Sequence, residues 1–302
     1  MTGIINYILS PDFANAILRM STPLLFVAMA AIISSKAGIF CIAFEGIMLF
    51  AALGGVLGSA FSQNLYVGFL SGIASGLFMA LVFAYFVLKL NTEPMLIGLA
   101  LNILGSDGTI YCLFVVSGSK SHSISLPSLV FPSIQITLIK SIPIIGQIFS
   151  GHNIFTYLAF ITVIIVQCFI YKTSLGLRIL AVGEASDVAQ SVGINVIKTK
   201  FTAMMISGVL ASLGGIYMTM GYLPYFTRDM ISGRGFIGIA AQCLGKSNPF
   251  FTLLWTLVFG GAEAIGNIFQ SYRMPSQFAS MLPYLVTLMG LVLMNINKKK
   301  DR

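Results

Sequence analysis

Long apolar runs separated by short polar stretches dominate this chain. About 20 apolar residues are needed for one helix to cross the roughly 30 Å hydrocarbon core of a bilayer, and most of the runs approach that length. The seventh run is shorter, so we expect a broken, tilted or re-entrant helix there. The nine runs are Ala14–Ser34, Ile39–Phe61, Leu65–Leu88, Met95–Val116, Ile154–Tyr171, Phe201–Tyr222, Ile231–Leu244, Phe250–Phe269 and Ala279–Ile296.

Composition supports a membrane environment. Of 302 residues, 57% are hydrophobic and 9% are charged, against roughly 25% charged residues in an ordinary soluble domain. The runs do not alternate between apolar and polar residues, which excludes a membrane β-barrel, and helices then remain the way to satisfy the backbone in lipid. The sequence predicts an all-α, multi-pass integral membrane protein. We expect a bundle of about nine helices forming one membrane domain over residues 1–302.

The distribution of basic residues predicts the orientation of the bundle. If all nine runs cross, eleven Lys and Arg residues share one side and six the other, and the richer side is expected to be cytoplasmic. This places the 172–200 loop and the C-terminus inside the cell, and the N-terminus and the 117–153 loop outside. A re-entrant seventh run would put the basic tail outside, so the count favours a crossing. The six are Arg19, Lys120, Lys140, Arg228, Arg234 and Arg273.

Motifs of soluble enzymes and of nucleic-acid binding are absent or incomplete. The net charge is +8, but basic residues are sparse before Lys298–Lys300, so no face suits a phosphate backbone. Gly245–Ser247 copies the end of a phosphate-binding loop, yet Ala240 stands where its first glycine belongs, and no strand precedes it. We therefore expect no catalytic residues, no bound ATP and no nucleic-acid partner.

Metal and disulfide chemistry are not indicated either. His122 and His152 have no carboxylate or cysteine at ligand spacing, so we expect surface histidines and no metal site. The cysteines lie far apart in apolar stretches without a Cys-x-x-Cys spacing. We expect them to be small buried hydrophobic residues: Cys41, Cys112, Cys168 and Cys243.

Three acidic residues fall inside the apolar runs. Charge at this depth is costly and marks candidates for function. Glu45 lines a polar path or lies near the membrane interface, and Asp107 is a second candidate. Glu263 shares a helical face with Asn267, either as part of a pore or as an interhelical hydrogen bond. Asn102 lies on a face of small and polar residues in the fourth run, which suits protein or water better than lipid.

Small residues also recur at a spacing of four. The positions lie on shared helical faces, which lets helix backbones approach closely in lipid. This spacing predicts a compact bundle and indicates nothing about transport. The positions are Gly54 and Gly58, Gly68, Gly72 and Gly76, and Gly208 and Ser212.

The 172–200 loop contains a short amphipathic pattern. From Glu184 to Val192, small and apolar residues recur at helical spacing, with acids near the start and Gly193 after the end. A helix of this length is unstable alone in water, so its apolar stripe needs a surface, either the base of the bundle or a groove of a partner protein. The stripe is Ala185, Val188, Ala189 and Val192.

The same loop carries a resemblance to a known family. Residues 175–195, LGLRILAVGEASDVAQSVGIN, resemble the coupling loop of the permeases that serve branched-chain amino acid, simple-sugar and nucleoside ABC importers. Four further blocks agree and extend the resemblance over most of the chain. They are Thr22-Pro23, KAGIFCIAFEGIM at 36–48, GYLPYFT at 221–227, and Gly233–Phe236 (GRGF) followed by Asn248-Pro249.

The resemblance implies a pore subunit of an ATP-driven importer in the inner (cytoplasmic) membrane, most similar to the nucleoside and simple-sugar branch. It implies a separate cytoplasmic ATPase that binds ATP and Mg, a second permease of a related but different chain, and an extracytoplasmic substrate-binding lipoprotein. No cofactor is implied in this chain. The coupling residues would be Gly183, Glu184, Ala185, Val188, Ala189, Val192 and Gly193.

A substrate path follows by combining the polar positions with nearby aromatic residues. A nucleoside suits aromatic stacking with a few hydrogen-bonding groups, although aromatic residues also serve as membrane-interface anchors. One departure bears on this path, since the family pattern before Glu45 reads Asn-Ile-Gly-Leu and this chain has Cys41–Phe44. The candidates are Glu45, Asn102, Tyr225, Phe226, Thr227, Arg234, Phe236, Glu263 and Asn267.

Two other classes remain open at this point. An ion-coupled secondary transporter needs coupling-ion ligands near the midplane and usually paired repeats with broken helices, and no clear repeat is visible in this sequence. A channel subunit does not require a separate docking helix in the cytoplasm. Both classes therefore account for fewer of the observed patterns than a permease subunit does.

Overall fold

The computed structural model describes residues 10–124, 126, 128–135, 145–271, 281–290 and 292. Expectations for Lys140, for Arg273 and for the basic tail after residue 292 lie outside this part of the chain. The elements are α1 (Pro11–Lys36), α2 (Phe44–Ser62), α3 (Leu65–Lys89), α4 (Pro94–Ser117), β1 (Ser133–Ile134), α5 (Ile145–Phe149), β2 (His152–Asn153), α6 (Ile154–Lys172), α7 (Ser174–Glu184), α8 (Ser186–Ser191), α9 (Val196–Tyr217, continued by a π-helical turn to Tyr222), α10 (Arg234–Leu244), α11 (Pro249–Ser271) and α12 (Met281–Gly290).

The helical membrane class is confirmed. Within the described residues, seven helices are long and apolar enough to cross a membrane: α1, α2, α3, α4, α6, α9 with its π turn, and α11. The seventh apolar run forms the 11-residue helix α10, which is too short to cross alone. Of the ninth run, Met281–Gly290 is helical.

Helix α1 lies at the centre of the bundle. Its residues 20–34 are buried, and it packs against α6, α9, α10 and α11. Polar side chains on this helix bond to backbone rather than to solvent: Thr22 Oγ1 lies 2.9 Å from the Leu18 carbonyl oxygen. Ser207 of α9 donates a 2.7 Å bond to the Ala30 carbonyl oxygen. A nearly all-apolar helix is therefore buried in protein, with its few hydroxyl groups satisfied locally.

Helices α2 and α3 form a closely packed antiparallel pair. Ser71 and Ser75 of α3 donate 2.9 Å bonds to the carbonyl oxygens of Gly54 and Phe50. A Cβ added at Gly54 or Gly58 would collide with these serine side chains. The prediction that the glycine spacing permits close approach of helices is confirmed for this pair. The close approach allows interhelical hydrogen bonds from serine to backbone, which stabilise helix pairs in lipid.

One end of the bundle gathers the basic helix ends. Helix α1 ends at Lys36 and α3 at Lys89, and Gly183 of α7 packs against Lys36 and Gly38. The 172–200 loop therefore lies at the same end as Lys36. We call this end, with Lys36, Lys89, Lys172 and helices α7 and α8, the basic end.

At the opposite end, residues 118–124, 126 and 128–131 lie across the segment that follows α9. Backbone amides of Ser123, Ser128 and Phe131 donate 2.8 Å bonds to the carbonyl oxygens of Phe226, Pro224 and Met220. We call residues 118–124, 126 and 128–131 the strap. Because the strap supplies hydrogen bonds to non-helical chain, it allows the 220–228 segment to leave helical conformation inside a protein environment.

Two expectations about single residues need correction. His152 is 4% exposed, with Nε2 2.8 Å from the Ile148 carbonyl oxygen, so it is not a surface histidine, and burial lowers its pKa. His122 is exposed as expected. All four cysteines are free, but only Cys41 is buried, whereas Cys168 and Cys243 are exposed on this chain.

Candidate functional site

The chain between α9 and α11 contains the short helix α10, preceded by non-helical chain. After the π-helical turn ends at Tyr222, the backbone leaves helical conformation and resumes it at Arg234. Gly233 precedes α10 with φ +80°, a conformation that glycine adopts without the steric cost of a Cβ. At 1.5 Å per residue, α10 is about 16 Å long, roughly half of the hydrocarbon thickness.

Contacts with α1 place α10 in the half of the bundle nearer the basic end. A Cβ added at Gly238 would lie 2.7 Å from Val27 Cγ1 and 3.3 Å from the Ala28 amide nitrogen. Val27 is nine residues before Lys36, about 13 Å along the helix. Non-helical residues 223–233 therefore occupy the other half. The seventh run is a half-helix preceded by irregular chain with turns at 228–233, and half-helices next to non-helical chain are found at the binding sites of transporters.

Glu45 caps the start of this half-helix. Its Oε1 accepts a 2.8 Å bond from the Gly233 amide, and its Oε2 accepts a 2.7 Å bond from the Gly235 amide. The residue is 7% exposed. The first amides of a helix have no partner within the helix, and a carboxylate satisfies both their hydrogen bonds and the positive end of the helix dipole. Glu45 thus holds α10 in place from the neighbouring helix α2.

Asn102 has a matching role at the start of α2. Its Oδ1 accepts a 2.9 Å bond from the Gly46 amide, and its Nδ2 donates a 2.9 Å bond to the Ile42 carbonyl oxygen. A Cβ added at Gly105 would lie 2.5 Å from Gly46 Cα, so α4 and α2 are in backbone contact here. Asn102 therefore fixes the helix that carries Glu45.

Arg234 and Glu263 complete the surroundings of the half-helix. The Arg234 guanidinium forms an ion pair with Glu263, and its Nη1 also donates to the carbonyl oxygens of Met230 and Ile231 at 3.0 and 3.2 Å. Charges inside a membrane protein pair in this way to avoid the cost of isolated burial. Arg234 Nε and Glu263 Oε2 are buried without a hydrogen-bond partner among the described residues. Asn267 of α11 lies near Met20, with its Nδ2 3.8 Å from Sδ.

Four predicted path residues are therefore brought together around the start of α10. We call Glu45, Asn102, Arg234 and Glu263 the capping cluster. Each of the four bonds to a group of this same chain. The cluster is thus suited to fixing the position of a half-helix, which the sequence did not indicate, because the partners of Glu45 are backbone amides almost 190 residues away.

The aromatic candidates do not form one continuous surface on this chain. Phe226 is fully buried, with its amide bonded to Ser123 Oγ at 2.8 Å. Thr227 pairs with His122 as a β-bridge, and Tyr225 is half-buried. Phe236 is 39% exposed on α10. The strap thus encloses the aromatic segment, and Phe236 is the aromatic candidate with the most open face.

The amphipathic segment of the 172–200 loop differs from its predicted form. The chain forms α7 and α8 with a break at Ala185 (φ −147°). The predicted helix is therefore present but shorter than Glu184–Val192, because it covers Ser186–Ser191 and Glu184 ends α7. Ala189 is 3% exposed and faces this chain, whereas Val188 is 64% and Val192 72% exposed. The predicted stripe is divided, because α8 rests one side on its own bundle and leaves the two valines uncovered.

A tight glycine contact joins this loop to the capping cluster. A Cβ added at Gly183 would collide with the Lys36 carbonyl oxygen. Gly38, with φ +73°, packs against the backbone of Gly183. Residues 39–43 then lead directly to α2 and Glu45. The sequence carries no signal for this contact beyond the presence of two glycines.

Comparison with known proteins decides the class of the chain. The family model described as branched-chain amino acid transport system / permease component matches residues 13–293. The chain belongs to this permease family. No solved structure matches the chain.

Three relatives cover most of this permease. The guanosine ABC transporter permease protein NupQ of Bacillus subtilis is 31% identical over 91% of this chain and 89% of its own length. The nucleoside ABC transporter permease protein NupC of Lactococcus lactis is 29% identical, covering 90% and 89%. TsgC13 of Haloferax volcanii, a permease whose name assigns it provisionally to glucose, is 32% identical, covering 83% and 75%. Each of these organisms has a second, different permease that also matches.

Family membership confirms the resemblance drawn from the coupling-loop and GRGF blocks. The permease is a membrane-embedded, non-catalytic pore subunit of an ABC transporter, and ATP hydrolysis belongs to a separate ATPase. The alternative classes, a secondary transporter and a channel subunit, are set aside. Among the described residues, no group of three or more His, Cys, Asp or Glu side chains is placed to hold a metal ion.

Proposed function

We propose that this permease forms half of the pore of an ATP-driven importer whose substrate is a nucleoside, with a simple sugar as the second candidate. The names of the relatives carry this proposal, since two are assigned to guanosine or nucleosides and one provisionally to glucose. These two substrate classes share a polyhydroxylated sugar ring. A path that binds one of them therefore needs groups that accept hydrogen bonds from the sugar hydroxyls, together with aromatic surfaces.

The proposed assembly contains two permeases, a cytoplasmic ATPase and an extracytoplasmic substrate-binding lipoprotein. Three organisms each have two different matching permeases, which supports a second permease of related but different sequence. In this arrangement neither permease binds ATP, and Mg and ATP are bound by the ATPase alone.

We place the ATPase contact on the exposed side of the 184–193 segment. Val188 and Val192 are large apolar residues left open at the basic end, and Ala185 is exposed beside them. Exposed aliphatic side chains on a short helix are the pattern by which helices dock into grooves. Gly183 and Ala189 would not touch the ATPase. They would instead hold α7 and α8 against the bundle.

The proposed path passes along α10. The capping cluster would fix the position of the half-helix, and Phe236, Tyr225 and Asn267 would contribute contacts near it. Phe226 and Thr227 would shape the path through the strap. Half-helix ends at the middle of a membrane protein form substrate sites in many transporters, which is the physical reason for placing the path here.

Uptake measurements test the substrate class. Cells with and without this gene would be given labelled guanosine and labelled glucose, each with an excess of the unlabelled other compound. We expect guanosine uptake to fall at least tenfold without the gene and to be restored by the wild-type gene. If only glucose uptake depends on the gene, a simple sugar is the substrate. If neither guanosine uptake nor glucose uptake depends on the gene, both proposed substrate classes are wrong.

The orientation is the second testable part of the proposal. We propose that the basic end faces the cytoplasm and the N-terminus lies outside, with nine crossings of which the seventh is residues 223–244. The contact of Gly183 with Lys36 supports the grouping of basic residues at one end. Arg234 pairs with Glu263 inside the bundle, so it no longer counts among the basic residues on the outer side. The excess of basic residues on the cytoplasmic side is then larger.

Cysteine labelling checks this orientation. In a variant without native cysteines, Lys120→Cys is expected to react with a membrane-impermeant thiol reagent in intact cells. Lys198→Cys and Asn297→Cys are expected to react only after the membrane is permeabilised. Reaction of Asn297→Cys in intact cells would show that the number of crossings is even, and the nine-crossing topology would be wrong.

A further inference from the structure

Asp107 places a carboxylate near the middle of a membrane-crossing helix. It lies 13 residues from the start of α4 and 10 from its end, about 20 Å and 15 Å along the axis. Its side chain is exposed on this chain. Among the described residues it has no hydrogen-bond or ion-pair partner. The capping cluster and the strap do not use it.

Lipid is an unsuitable neighbour for this residue. An ionised carboxylate at the centre of the hydrocarbon core is costly, and such groups almost always face protein or a water-filled cavity. The side chain of aspartate has a single methylene group and is too short to reach either membrane surface from this depth. The exposed face of α4 around Asp107 therefore borders protein or water in the working transporter.

An aromatic residue lies on the same face one turn further along. Tyr111 follows Asp107 by four residues, which places the two side chains next to each other on a helix, and it is 69% exposed. The opposite face of α4, with Gly98, Asn102, Gly105 and Thr109, is buried against α2. Helix α4 thus stands at the edge of this chain and directs a carboxylate and an aromatic ring outward.

We propose that Asp107 and Tyr111 contact the sugar-containing substrate in the path between the two permeases. The carboxylate would accept hydrogen bonds from neighbouring hydroxyl groups of a ribose or hexose, which are strong because the acceptor is charged. The tyrosine ring would stack on the base or on the apolar face of the sugar. This inference rests on the proposed function and names the atoms of the substrate that α4 recognises.

Accessibility to water is the first test. In a variant without native cysteines, Asp107→Cys and Tyr111→Cys are each reacted with a membrane-impermeant thiol reagent in the assembled transporter. We expect both to be labelled, and guanosine or glucose to slow labelling several-fold. Ile164→Cys is the matched control, because Ile164 lies mid-way along α6 and is 57% exposed on an apolar surface that also contains Ile161 and Ile165. It is expected to remain unlabelled.

Hydroxyl recognition is the second test. Wild-type transporter is expected to take up guanosine at least tenfold faster than 2′,3′-dideoxyguanosine at low concentration, since lost hydrogen bonds to a charged group weaken binding by about that factor. For Asp107→Ala, with rates corrected for protein amount, we expect the ratio to fall below about twofold. If glucose is the substrate, 3-deoxyglucose replaces the dideoxynucleoside.

Two results would overturn the inference. One is absence of labelling at Asp107→Cys in a transporter that works, which would place the residue in a sealed interface. The other is an unchanged hydroxyl preference in Asp107→Ala. Failure of the proposed function is distinguishable, because wild-type cells would then import neither guanosine nor glucose, whereas labelling would still report whether Asp107 faces water.

Discussion

Replacement of Val188 by arginine is expected to abolish transport while the membrane bundle stays folded. Val188 is 64% exposed at the basic end, so an arginine side chain has room to extend into solvent in the permease alone. If the ATPase covers this side, the arginine must lose its water inside an apolar groove, which costs several kcal/mol. Each 1.4 kcal/mol is a tenfold change in affinity, so we expect at least a tenfold loss of transport and of substrate-stimulated ATP hydrolysis in the reconstituted complex.

Two variants on the same helix serve as comparisons for Val188→Arg. Gln190 is exposed and lies about 200° around the helix from Val188, so Gln190→Arg is expected to change transport less than twofold. Ala189 is 3% exposed, so Ala189→Arg is expected to reduce the amount of folded permease instead of acting on the ATPase contact. If Val188→Arg transported and bound the ATPase normally, the two valines would not form the coupling contact.

Replacement of Glu45 by leucine is expected to destabilise the permease itself. The change leaves the buried amide of Gly235 and the half-buried amide of Gly233 without acceptors, and an unsatisfied buried amide costs about 1–3 kcal/mol. It also removes the negative charge at the start of α10. We expect a clear loss of folded protein in detergent and a lower melting temperature, measured by size-exclusion chromatography and thermal unfolding. Glu45→Gln keeps one acceptor and is expected to lie between wild type and leucine.

Glu93 provides the matched control for Glu45→Leu. It occupies the N-cap of α4 but makes no side-chain capping bond, and it is exposed. Glu93→Leu therefore removes a glutamate beside the start of a helix without leaving a backbone amide without a hydrogen-bond acceptor. We expect an unchanged melting temperature. Normal stability with lost transport in Glu45→Leu would instead show that the carboxylate acts on the substrate and that the cap is dispensable.

The sequence identified the capping cluster as a set of unusual residues but not its role. Glu45, Asn102 and Glu263 stand out because polar groups within apolar runs are rare and costly. The pattern along the chain cannot tell a pore-lining carboxylate from one that caps a distant helix. That distinction depends on partners 188 and 190 residues away for Glu45 and 56 and 60 residues away for Asn102.

The division of the 184–192 stripe has a similar cause. Helical spacing predicts which residues share a face, and it groups Val188 and Val192, which are both exposed. It also assigned Ala185 and Ala189 to the same stripe, although the chain breaks at Ala185 and α8 turns Ala189 toward its own bundle. Which part of an apolar face is covered is decided by the neighbouring α7 and α9, and their positions are fixed far from the segment itself.

The sequence alone determined that this permease lies in a lipid bilayer and is built from membrane-length helices. Apolar runs of membrane length require helices, because lipid offers the backbone no other hydrogen bonds, and small residues at a spacing of four allowed α2 and α3 to pack closely. The tertiary structure decided how the seventh run breaks, what Glu45 and Asn102 bind, and that Asp107 faces outward. These properties depend on contacts between segments distant in the chain, whereas sequence patterns report the environment of one segment at a time.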